Sequence, residues 1–272
     1  MKGKKIITMV AVAALSVSVL LTGCGSNSTG TSGSTGSKSA VQAIKDRGVL
    51  KAGVKVDVPK FGYKDPGTSK IEGFEVDLVK AVAKKILGDE NKVELQAVTA
   101  KTRGPLLDSG EVDIIGATFT ITEERKKSYD FSEPYFKDGV ALMVKKDSGI
   151  KTLKDLDGKK IGVAQSATSK QALEAEVKNL GIKVTFSEYS TYPEIKAALD
   201  SKRVDAFSVD GAILNGYLDD STIILDERYA KQEYGLVSKK GNDDLAKVIN
   251  DTVNEMKKSG ELDKLIEKWG IK

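Results

Sequence analysis

Twice along the chain a helical pattern runs through Leu-Asp-Ser into an apolar run that opens with Val-Asp. The copies are LLDSGEVDIIGA (Leu106–Ala117) and ALDSKRVDAFSV (Ala198–Val209). Generic helix-end and turn chemistry would give the same letters, so a true repeat is one of two readings. Read as a repeat, it means two similar lobes, each leading a helix through a tight turn into a buried strand. The intervening segments agree. Val49–Val54, Lys92–Val98, Val112–Ala117, Lys159–Ala164 and Lys183–Ser187 read as strands. Phe74–Gly88 reads as an amphipathic helix, with Leu78, Val79, Val82, Ala83, Ile86 and Leu87 at helical spacing and Gly88 as its stop. Helices are also expected over Lys170–Asn179, Pro193–Asp200 and, unbroken, Asp243–Trp269. Such alternation argues for the α/β class with parallel sheets. The repeat also aligns Thr118 with Asp210. Each lies just past the carboxyl end of a buried strand, where open α/β sheets bind ligands.

The amino terminus carries an address. Lys2, Lys4 and Lys5 precede an uncharged run, Ile6–Leu21, and then LTGC, Leu21–Cys24. A basic start, a short apolar run and small residues describe a secretory signal. The run is short for a membrane span, which needs roughly 20 residues. Cys24 is the only cysteine, so no intrachain disulfide can form. LTGC resembles the lipobox of bacterial lipoproteins. That implies removal of residues 1–23, lipidation of Cys24 and attachment to a membrane face without spanning it. Residues 24–40, rich in Gly, Ser and Thr, read as a flexible tether. The formal net charge of +4 falls to +1 once three lysines leave with the signal. No nucleic-acid partner is expected of so balanced a chain. There is no histidine, which removes the commonest general base and metal ligand. Neither a metal nor a cofactor is expected, and no catalytic residue is assigned.

The segment TFTITEER, Thr118–Arg125, ends a buried-looking strand with hydroxyls and one guanidinium. Arg125 is a planar fork suited to bidentate capture of a carboxylate, or else a surface arginine in a charged run. Thr120 and Thr122 carry hydroxyls, and Thr118 offers a carbonyl to an ammonium. Asp210 would balance that cation, or cap the helix after it. A carboxylate at one end and an ammonium at the other is an α-amino acid.

From about Val41 to Ile271 the chain resembles the extracytoplasmic amino-acid-binding proteins of ABC importers, solute-binding protein family 3. The blocks that carry the likeness are GFEVDLVKAVAKKI, GPLLDSGEVDIIGATFTITEERKKSYDFSEPYF, LKDLDGKKIGVAQSAT, VDAFSVD and LDKLIEKWG. The resemblance implies a type II periplasmic-binding-protein fold, two α/β lobes joined by a two-strand hinge with the ligand cleft between them. Lobe 1 is expected over residues 41–144 plus 234–272, and lobe 2 over 145–233. Arg125 would take the α-carboxylate with Ser166, Ala167 and Thr168, whose turn amides precede a helix. Thr118, Thr120 and Asp210 would take the α-amino group.

Lys55, Arg103 and Tyr192 are the candidates for the ligand side chain. Arg125 and Asp210 balance one amino-acid backbone, so Lys55 and Arg103 would be uncompensated unless the ligand brought a second carboxylate. Unpaired buried charge is expensive, which favours aspartate or glutamate. AKTRGPLL, IGVAQSAT and KRVDAFSVD likewise resemble the aspartate/glutamate-binding branch. If Lys55 and Arg103 sit on the rim instead, a neutral polar ligand such as glutamine or cystine returns. Many relatives clamp the ligand with aromatics near positions 58 and 100. Here Val58 and Ala100 stand there, which suits a small polar ligand. The expected mechanism is capture by lobe closure and delivery to a membrane permease by a monomer. The rival class is a small-carboxylate lyase using Lys55 or Glu133, and a surface adhesin role is compatible with binding.

Overall fold

The computed structural model describes residues 39–271. In chain order the strands are β1 (Leu50–Val54), β2 (Asp57–Val58), β3 (Gly62–Lys64), β4 (Ile71–Glu72), β5 (Val93–Ala97), β6 (Ile114–Gly116) and β7 (Tyr129–Phe131). They continue as β8 (Phe136–Lys145), β9 (Lys160–Ala164), β10 (Thr185–Tyr189), β11 (Ala206–Asp210), β12 (Thr222–Ile224), β13 (Tyr229–Tyr234) and β14 (Val237–Lys239). The α-helices are α1 (Ala40–Arg47), α2 (Phe74–Leu87), α3 (Arg103–Asp108), α4 (Ser169–Leu180), α5 (Tyr192–Asp200), α6 (Gly211–Asn215), α7 (Asp243–Ser259) and α8 (Glu261–Lys268).

Two sheets share one plan. The first runs β5-β1-β6-β14-β7 and the second β10-β9-β11-β8-β12, with β13 also on β8. In each, three parallel strands are followed by an antiparallel one arriving from elsewhere in the chain. The Val-Asp element does the same work twice. Asp113 accepts the Lys51 N–H through Oδ2 at 2.8 Å, and its own N–H goes to the Lys51 carbonyl at 2.8 Å. Asp205 repeats both bonds on Lys160, again at 2.8 Å. The serine of Leu-Asp-Ser closes a helix both times, Ser109 on the Leu106 carbonyl and Ser201 on that of the matching Ala198. Equal backbone jobs at equal positions decide for the repeat.

β6 and β11 are buried along their whole length, as central strands covered on both faces must be. Helix α2 packs Leu78, Val79, Val82 and Ala83 into the first lobe's core. Its cap, Gly73, has φ +145°, and a Cβ there would stand 2.3 Å from the Phe61 carbonyl oxygen. Only glycine fits. Helix α5 opens on a capping box between Thr191 and Glu194.

Two chain crossings join the lobes and hydrogen-bond to each other. Tyr135 N–H reaches the Tyr234 carbonyl at 2.9 Å, and Ser132 N–H that of Leu236 at 2.9 Å. The expected division after Val144 is therefore corrected. β8, whose buried run Val140–Val144 lies between β11 and β12, belongs wholly to the second sheet, so the crossing precedes Phe136. The unbroken terminal helix is corrected too. Gly260 at φ +74° separates α7 from α8. The expected tether ends a residue early, because Ala40 already starts α1 under the cap of Ser39. Cys24, the signal and residues 24–38 lie outside the described residues.

Candidate functional site

The carboxyl ends of β6 and β11 deliver the two halves of the site. β6 stops at Gly116, and Thr118 turns the chain at φ +46°, a strained angle for a β-branched residue. Two contacts hold it there. Its N–H donates to Glu75 Oε1 at 2.5 Å, and its carbonyl accepts from Arg103 Nη1 at 2.9 Å. Arg103 also reaches the Ala117 carbonyl at 2.5 Å. The Thr118 carbonyl, expected to face an ammonium, is thus already engaged by a guanidinium. The Thr118 hydroxyl is buried and has no partner within the protein. Thr120 is buried and bridges to Tyr234.

Arg125 opens a short 3-10 turn, pinned by the Thr122 hydroxyl on its N–H at 3.1 Å. Its guanidinium donates to the Thr120 carbonyl at 2.8 Å and, across to the second lobe, to the Ser166 carbonyl at 3.1 Å. It is half-buried at the cleft rather than free in a surface charged run. Burial, then the neighbouring Arg103 cation, lowers its pKa to about 9. A cavity of about 400 Å³ opens beside it, lined also by Ser166, Ala167 and Thr168. Ser166 holds φ +61° just ahead of α4, and the Thr168 hydroxyl donates to Gln232 at 2.8 Å. Both guanidiniums lie over the Phe119 ring, Arg103 at 4.1 Å and Arg125 at 4.7 Å from its centroid.

Asp210 ends β11, buried, and does not cap α6 with its side chain. The Tyr234 hydroxyl donates to it, while Asp138 accepts the Ala212 N–H at 2.7 Å in its place. Burial raises the Asp210 pKa to about 7, against the pull of Tyr234, Arg103 and Arg125. Lys55 and Tyr192 are brought together, with the ammonium 4.5 Å from the ring centroid.

Three residues that sequence reasoning passed over complete the cluster. Asp57 pairs with Lys55 at 2.8 Å, so Lys55 is not the uncompensated cation of the charge count. That count took Lys55 singly, and its partner was two residues away on the next short strand. Asp57 also binds the second lobe: its carbonyl accepts from the Tyr217 hydroxyl, and its Oδ2 from the Tyr192 N–H at 3.4 Å. Glu75 is fully buried, taking the Tyr135 hydroxyl as well as Thr118 N–H. It is legible after the fact, for 75, 79, 82 and 86 form one stripe of α2 and only Glu75 is polar. Phe119 passed as one apolar letter between threonines. Glu133, proposed for a lyase, lies exposed on a crossing, and Lys55 is held in its ion pair. Val58 and Ala100 are buried.

Two α/β lobes, a buried polar cleft between them and paired crossings define a two-lobe solute-binding protein. Residues 50–272 match the model of bacterial extracellular solute-binding proteins, family 3, and the chain belongs to that family. It is 40% identical over 270 residues to the ABC transporter glutamine-binding protein GlnH of Bacillus subtilis (strain 168), covering 98% of this chain and 97% of that one. It is 43% identical over 257 residues to a glutamine-binding protein of Geobacillus stearothermophilus, covering 90% and 96%. Among solved structures, the cysteine-binding protein from Campylobacter jejuni superposes with a TM-score of 0.78 at 31% identity, over 85% of this chain and 92% of that one. No helix among the described residues is long and apolar enough to cross a membrane.

Proposed function

We propose that the protein captures a free amino acid with an acidic side chain, aspartate or glutamate, outside the cell and delivers it to an ABC permease. Arg125 and the Ser166–Thr168 turn take the α-carboxylate. Asp210, with the unpartnered Thr118 hydroxyl and Thr120, takes the α-ammonium. Lys55, Arg103 and Tyr192 surround the side chain. One observation carries the acidic reading: Arg103 is a buried cation whose hydrogen bonds go to carbonyls rather than a carboxylate, and its Nε is unpartnered. A ligand carboxylate answers both the charge and the free donor.

Glutamine is the second reading. It is favoured by the Lys55–Asp57 pair, which removes one cation from the count, and by relatives named for glutamine. In either case the ligand touches both lobes and favours their closure by its differential affinity. Arg125–Ser166 and Asp57–Tyr217 are contacts that closure makes. Calorimetric titration with aspartate, glutamate and glutamine is the test. Tight binding of the acids with weak glutamine binding supports the first reading, and the reverse order overturns it.

A further inference from the structure

We infer that Glu75 determines which ligand charge the cleft accepts: it carries a proton when an acidic side chain is bound and is ionised when a neutral one is bound. This rests on the amino-acid-binding reading above. It reaches further, because Glu75 is not among the residues proposed to touch the ligand.

The geometry comes first. Glu75 sits in the first turn of α2, completely buried. Oε1 accepts from the Thr118 N–H and the Tyr135 hydroxyl, while Oε2 has no partner within the protein. The groups that face it come from five elements. They are Lys55 beyond β1, Arg103 at the start of α3, the Thr118 N–H beyond β6, Tyr135 on a crossing and Tyr192 at the start of α5. No hydrogen bond or ion pair joins Glu75 to Arg103 or Lys55, so both feel its charge through space.

The charge balance then has one free variable. Asp57 answers Lys55. On the proposed reading the ligand's own ammonium and α-carboxylate answer Asp210 and Arg125. Arg103 and Glu75 remain. If Glu75 is ionised, they cancel and the side-chain pocket is neutral. If Glu75 is protonated, Arg103 is left with a full positive charge and a second carboxylate is welcome. Buried charge without a partner is strongly disfavoured, so ligand charge and the Glu75 proton move together. Burial holds the Glu75 pKa at about 7, so both forms are within reach near neutrality. An acidic ligand beside it raises that pKa and draws in a proton.

The test is proton counting by calorimetry in buffers of different ionisation enthalpy. Asp210 also titrates about 7, but at pH 8 it is already largely ionised and contributes little on binding. At pH 8 glutamate should bind with uptake approaching about one proton, and its affinity should fall by up to about tenfold per pH unit above 7. In Glu75→Gln that uptake and slope should vanish while glutamate still binds. The amide oxygen can accept from both the Thr118 N–H and Tyr135, so the loop keeps its supports.

If glutamine alone binds, the acidic reading fails. The role of Glu75 then predicts more proton release at pH 6 from the natural chain than from Glu75→Gln. Tight binding of either ligand with no proton change that depends on Glu75 would overturn the inference. The natural chain alone decides the glutamate case at pH 8, should the variant fold poorly.

Discussion

Arg125 and Arg103 present the same chemical group to different ends of the proposed ligand, and they should fail differently. Arg125→Ala removes the one guanidinium that spans to Ser166, and every amino acid should lose affinity. A buried charge losing its partner costs about 2–5 kcal/mol, which is tens to thousands of fold in the calorimetric Kd. Arg103→Ala should weaken glutamate more than glutamine, and equal losses would show that it does not read the side chain. That Arg125, Asp210 and Arg103 gather in one cluster was legible from residue type, position after a strand and resemblance. Glu75 and Asp57 were not. An acid in a helix's first turn looks like an ordinary partner of the helix dipole, and an acid near a lysine looks like surface chemistry. What sets them apart is burial, and burial is a tertiary fact.

The elements themselves were largely readable, since strand and helix periods differ and the repeat marked both lobes. The errors fell where one residue's backbone angle overrides a period. Apolar spacing continues through residues 243–269, yet Gly260 at φ +74° breaks the helix. The lobe boundary was missed for another reason: β8 is apolar along Val140–Val144 in any sheet, and sequence does not say which sheet claims it. Gly73 is the sharpest case of backbone control. Gly73→Ala combines a disallowed φ with a Cβ 2.3 Å from a carbonyl oxygen, so the strand turn or α2 must shift. Denaturant unfolding should show a loss of at least about 1–3 kcal/mol. The adjacent Glu75 would move with it, so ligand affinity should fall in the same variant.

Across the molecule, two buried carboxyls with raised pKa values shape the response to pH. Glu75 and Asp210 rise from ordinary values of 4.5 and 3.8 to about 7. Between those limits the folded chain holds protons that the unfolded chain has released. Ligand-free stability should therefore decline from about pH 5 to 7 and level off above 8. Melting temperatures recorded over that range check it, and a rise with pH would contradict it. A saturating neutral amino acid should flatten the decline by supplying an ammonium to Asp210, whereas saturating glutamate should remove the Asp210 part but carry the Glu75 part on above pH 7. The lipid anchor expected from LTGC is tested at the same scale. Cys24→Ser should move the protein from the membrane fraction to the medium or periplasm on fractionation. If it stays membrane-bound, LTGC is not the attachment.

Phe119 gives the site one more property. Both guanidiniums rest on its ring, at 4.1 and 4.7 Å, and the ring is wedged against Tyr129 and Phe131 at centroid distances of 5.7 and 5.6 Å. The two arginines are therefore gauged by a single aromatic block rather than placed independently. On the proposed reading that block works as a caliper: its thickness and seating set the span between the two acidic ends a ligand can present. Tuning aspartate against glutamate would then be a matter of shimming a hydrophobic plate in the first lobe, with no ligand contact altered.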